Sequence, residues 1–194
     1  MVGGGEVLFG AYLRSVVRRK IVRGGNARQG KVMRVIFYHG LEGSPNGDKP
    51  TALRKIFPTL ESPDFQGVDP TERVRLASED LEAHGEPAYL IGSSLGGMMA
   101  AIMANRHPNL VKGYLLCVPA MHWSGHTKGI TKVPAVAQML LAKNDSTALN
   151  DAALAFATQH GIPTRTVDDG HRLVGHVDLI VALAEIDYLA AMQA

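Results

Sequence analysis

One cysteine, one tryptophan and no long apolar run define the 194-residue chain by what it lacks. The single Cys117 excludes an intramolecular disulfide and any zinc cluster built from cysteines, and it fits a reducing, cytoplasmic setting. The longest apolar stretch, 90–104, is broken by two serines and three glycines and is too short to span a bilayer. No Gly-x-x-x-x-Gly-Lys-Ser/Thr run occurs, so no nucleoside triphosphate cradle is indicated. His122 and His126 are four apart, but no glutamate follows the first, so the zinc-protease pattern is missing too. No cofactor and no metal is expected.

Net charge is also small, since 20 basic and 18 acidic residues leave only +2. Its distribution is uneven. Residues 1–32 carry seven basic residues and one acid, whereas 33–194 carry 13 basic and 17 acidic ones. An acidic body argues against nucleic-acid binding. Within the basic segment, apolar residues at 8, 9, 12, 13, 16 and 17 have helical spacing, and the same stretch could instead form extra strands. The expected organisation is a basic N-terminal extension over 1–32 and one globular domain over 33–194. No membrane contact is expected.

Hydrophobic patterning predicts alternating strands and helices. Strands are expected at 33–38, 88–91, 110–118, 136–142 and 164–167, with a weak one at 59–61. Helices are expected at 49–57, from Pro70 to just before Gly85, and at 95–106, 147–160 and 177–192. Asp69 reads as an N-cap with Pro70 at the first helical position. Strands separated by helices imply a mostly parallel sheet with right-handed crossovers, sandwiched between helices in three layers.

The chemistry centres on Ser94. Gly92-Ser93-Ser94-Leu95-Gly96 places this serine on a predicted strand-to-helix turn. Such a turn projects the hydroxyl above the sheet, and the glycines remove side chains that would collide as the helix folds back. The helix start puts the Leu95 N–H where a negative oxygen would develop. The His39-Gly40-Leu41 turn at the end of the first strand offers a second N–H, that of Leu41. A serine hydroxyl also needs a base. His171, in the loop after the last strand, is the favoured candidate over His176. Asp145, after the fourth strand, would orient that base or merely cap the following helix; Asp168 and Asp169 remain alternatives.

These residues resemble the α/β-hydrolases, in particular the small cap-less esterases of the YqiA type. The likeness rests on FYHGLEGSP, on the elbow around IGSSLGG, on LLAKND and on DDGHRL, and covers about 33–192. It implies an α/β-hydrolase fold without a cap domain. It also implies Ser94 as nucleophile, Asp145 as acid, His171 as base, and the Leu41 and Leu95 amides as oxyanion hole.

In larger relatives a cap is inserted after the strand ending near Val118. Here Pro119 to Val133 is short, and it carries Met121, His122 and Trp123 as candidate walls of a substrate pocket. An open site suits a small-molecule ester with a short acyl chain. The residues do not separate an oxygen from a sulfur or nitrogen leaving group. Nor do they separate an enzyme from a binding protein on the same scaffold.

Overall fold

Five short runs between turn residues build five strands: β1 (Arg34–Tyr38), β2 (Ala88–Ser93), β3 (Val111–Cys117), β4 (Val136–Ala142) and β5 (Thr164–Val167). The computed structural model describes residues 33–147 and 150–194. The basic segment 1–32, with its expected helix or strands, lies outside the described residues. All five strands pair in parallel, in the order β1-β2-β3-β4-β5. The helices are α1 (Asp48–Leu53), α2 (Pro70–His84), α3 (Leu95–Arg106), α4 (Ser124–Thr127), α5 (Asn150–His160) and α6 (Val177–Ala191).

Strand alternation explains the layers. Ile36, Leu90, Leu116 and Leu141 face one side, where they pack with Val74, Leu81, Met98, Ile102 and Phe156 of α2, α3 and α5. Phe37, Ile91, Leu115 and Leu140 face the other, against Leu53 of α1 and Ile180 and Leu183 of α6. Central strands covered on both faces read as continuous apolar runs, and β2 is buried along its whole length. The result is a three-layer α/β/α sandwich.

Local signals decide the element ends. The Asp69 carboxylate accepts the Thr71 N–H at 2.8 Å, Pro70 opens α2, and Gly85 closes it at φ 62°. The first helix is shorter than expected and stops at Leu53. The weak strand at 59–61 shrinks to a single parallel bridge between Glu61 and Ile36. Arg34 holds that edge by pairing with Glu61 at 2.5 Å and with Asp80 of α2 at 2.7 Å.

This bridge sets the location of the site. Glu61 flanks β1 on one side and β2 flanks it on the other. The chain therefore leaves β1 toward the outer edge and returns across it to β2. Such a switch opens a crevice at the carboxyl ends of the two strands. The turn after Tyr38 and the turn at Ser94 border it.

Candidate active site

Ser94 joins β2 to α3 with φ 57° and ψ −120°. A non-glycine residue there is strained by about 1–3 kcal/mol, so neighbouring bonds must hold it. Its N–H donates to the Cys117 carbonyl at 2.9 Å, and its own carbonyl accepts the amides of Gly97, Met98 and Ala120. The end of β3 thus grips the turn. Val118, the next residue, is itself at φ 42°. Gly92 and Gly96 lie so close that a Cβ on Gly92 would meet the Gly96 backbone. Gly40 packs on the same turn, and a Cβ there would sit 3.1 Å from the Ser94 Cβ.

The loops after β4 and β5 converge on this serine. His171 Nε2 lies 2.9 Å from Ser94 Oγ. On its other side, His171 Nδ1 lies 2.7 Å from Asp145 Oδ2. The Asp145 side chain is fully buried, and its other oxygen accepts the Thr147 N–H at 2.8 Å. The helix expected from residue 147 begins at Asn150, so the Thr147 bond closes a turn in the loop rather than capping α5, and Asp145 orients His171. A carboxylate is acceptor-only, so Nδ1 carries the proton and Nε2 faces the hydroxyl as acceptor.

The two remaining acids have other partners. Asp168 Oδ1 accepts from Asn144 Nδ2 at 2.7 Å. Asp169 accepts from His176 Nδ1 at 2.9 Å and from the Gly175 and Gly170 amides. The bond from His176 holds the Asp169 carboxyl below its usual range, and the two amides act in the same direction against some desolvation. The Lys143 N–H donates to the Val167 carbonyl and the Asn144 N–H to that of Asp169, which locks the turn of Asp145 against the loop of His171.

Ser94 and His171 open into a cavity of about 520 Å³. Leu41 lines it, as do Lys49, Thr147, Arg172 and Val174. Lys49 Nζ donates to the Arg172 carbonyl at 2.5 Å, and burial lowers its pKa. Leu95 opens α3, so its N–H has no acceptor one turn back.

Met121, His122 and Trp123 are elsewhere. None is among the described residues that line this cavity. Met121 is buried with the core on the α3 side and borders a separate cavity of about 390 Å³ beside α5. Trp123 packs against the same core and stands between His122 and His126, with ring centroids 6.3 and 6.2 Å away. The connection after β3 folds down over α3 and α5, because its large side chains bury there rather than over the serine.

Lys49, Arg172 and Val174 were not predicted as lining residues, nor was the role of Arg73 described below. Arg172 and Val174 follow the last strand, and Lys49 lies in the six-residue α1, which is too short to show a periodic signal. Arg73 did carry one, since it falls on the 73-77-81 stripe that α2 buries. Among the described residues, no group of three or more His, Cys, Asp or Glu could hold a metal ion, and no helix is long and apolar enough to cross a membrane.

The profile of the family described as alpha/beta hydrolase fold matches residues 81–182, just over half of the chain. The chain belongs to the α/β-hydrolase family. Solved structures agree with that membership. A Xanthomonas campestris protein assigned to the alpha/beta hydrolase superfamily is 27% identical, with a TM-score of 0.67 over 80% of this chain and 98% of that one. Est1E of Butyrivibrio proteoclasticus superposes with a TM-score of 0.69 at 14% identity, over 85% and 90% of the two chains. A second Xanthomonas campestris protein, described as a serine hydrolase without lid, gives 0.63 at 12% identity, over 84% and 85%. The last two show the fold alone. In sequence, 42 residues are 48% identical to the chloroplast pheophytinase of Arabidopsis thaliana, a stretch covering 22% of this chain and 9% of that protein.

Proposed function

We propose that this α/β-hydrolase is a serine carboxylesterase that cleaves small esters through an acyl-enzyme. The observation that carries the reading is the relay Asp145–His171–Ser94, with contacts of 2.7 and 2.9 Å. Ser94 Oγ attacks the ester carbonyl while His171 Nε2 takes its proton. Asp145 holds the Nδ1–H tautomer and stabilises the imidazolium. The Leu95 and Leu41 amides receive the oxyanion. Collapse expels the alcohol, which leaves with the proton from His171. A water then attacks the acyl-enzyme, gives its proton to His171, and releases the acid and free Ser94.

The short connection between β3 and β4 supports a small substrate. It carries only the one-turn α4 and puts no cap over the serine. The cavity of about 520 Å³ is open to solvent and has room for a small ester.

The test is single-turnover hydrolysis of p-nitrophenyl butyrate, with a fluorophosphonate label located by mass spectrometry. An acyl burst that disappears in Ser94→Ala, with the label on Ser94, is the expected outcome. A folded protein with neither turnover nor label overturns the reading and favours a binding protein on this scaffold.

A further inference from the structure

Arg73 is fully buried in α2, yet among the described residues no carboxylate lies within ion-pair distance of it. A buried charge without such a partner is costly and calls for an explanation. Its guanidinium is used on backbone carbonyls instead. Nε donates to the Val68 carbonyl at 2.9 Å, Nη1 to that of Gly40 at 3.3 Å and Nη2 to that of Leu41 at 3.4 Å. The guanidinium also lies 5.9 Å from the Phe65 ring centroid.

The Gly40 carbonyl is heavily subscribed. It also accepts His39 Nδ1–H at 2.7 Å and the Gly43 N–H at 3.2 Å. His39 Nε2 accepts the Phe65 N–H at 3.0 Å, so the buried ring is the neutral Nδ1–H tautomer. Burial lowers the His39 pKa, with the Arg73 charge acting in the same direction.

One consequence follows from peptide planarity. No described peptide bond is cis, and in a trans peptide the carbonyl and the next N–H point in opposite directions. Three donors hold the Gly40 oxygen, so the Leu41 N–H is directed away from them, and Leu41 and Ser94 line one cavity. We propose that Arg73 is a positioning residue. Together with neutral His39, it fixes the Gly40–Leu41 peptide so that the Leu41 amide faces the oxygen developing beside Ser94. The catalytic consequence rests on the serine-hydrolase reading; the peptide orientation does not.

The experiment compares the full-length wild type with Arg73→Met and Arg73→Lys. Active sites are counted by fluorophosphonate titration to end point, kcat and KM are measured with p-nitrophenyl butyrate, and both variants are crystallised. Arg73→Met is expected to lose about tenfold or more in kcat per titrated site, with KM within about twofold, because an oxyanion donor acts on the transition state. Arg73→Lys keeps the charge but not the planar fork, and is expected to lose about threefold or more. It carries the test alone if Arg73→Met does not fold. A purely structural role would lower the titratable fraction and leave kcat per site at the wild-type value, which overturns the proposal. If the wild type itself shows neither label nor turnover, the hydrolase reading falls, and the crystal structures decide the positioning. A Gly40 carbonyl that keeps its orientation without Arg73 overturns it, and a rotated peptide supports it.

Discussion

Gly96 lies directly against the backbone carbonyl of Tyr38, and no Cβ fits between them. Through that contact the first turn of α3 rests on the end of β1, and the Ser94 turn meets the loop that follows Tyr38. The obstruction is backbone, which cannot swing aside. Gly96→Ala should therefore destabilise the fold by about 3 kcal/mol, near the upper end of overpacking costs. Chemical denaturation checks this. A variant within about 0.5 kcal/mol of wild type would show that α3 can shift freely.

Asp145 and Asp169 each hold a histidine, but only the partner of Asp145 reaches Ser94. Asp145→Asn should lower kcat by about 10⁴-fold, because an amide can present its N–H to Nδ1 and leave His171 in the wrong tautomer. Asp169→Asn should leave kcat close to wild type and lower Tm, since it weakens a bond network around Gly170, Gly175 and His176. Steady-state kinetics and thermal melts of the pair test the assignment. Equal losses in kcat would mean that Asp169 also governs the base.

Asp187 is a buried acid on α6, held by Tyr89 OH and Gln138 Nε2 at 3.4 Å each. Burial raises its pKa from 3.8 to about 6, against a smaller opposing effect of the Tyr89 hydrogen bond. A raised folded-state pKa means that the native protein holds a proton the unfolded chain has released. Its contribution to stability is full below pH 3.8 and is lost as pH rises through about 6. Asp187→Asn should thus stabilise the protein at pH 7 by about 1 kcal/mol and flatten the decline between pH 4 and 6. Denaturation at a series of pH values measures both effects.

Cys117 is wholly buried beneath the Ser94 turn, and burial pushes its thiol pKa up to about 12 despite the Lys49 charge. Thiolate is the reactive form. Iodoacetamide should leave the native protein unmodified and label Cys117 only as denaturant unfolds it. Rapid labelling of the native state would show that the floor of the site opens.

Much of this architecture is written locally. The runs 136–142 and 164–167 become β4 and β5 residue for residue, because each is a short run bounded by turn formers and too short for a typical helix. Asp69-Pro70 and Gly85 delimit α2 through capping alone. The weak signal at 59–61 yields a single bridge, since three residues at a sheet edge cannot sustain a ladder. The choice among Asp145, Asp168 and Asp169 was not legible, because all three sit in adjoining turns. Only the packing of those turns assigns His171, Asn144 and His176 as their partners. Met121, His122 and Trp123 illustrate the converse: a loop rich in large side chains is visible in sequence, but the face it covers is not.

The strand and helix succession, the glycine-framed Ser94 and the short span after β3 were legible in the residues alone, since they depend on periodicity, turn chemistry and chain length. That Ser94 and His171, 77 positions apart, meet at 2.9 Å, and that Arg73 bonds the carbonyls of Gly40 and Leu41 rather than a carboxylate, came from the packing of the folded chain. Those contacts join loops and helices remote in sequence. Their geometry follows from how the layers pack and from where the strand order switches, which no local pattern encodes.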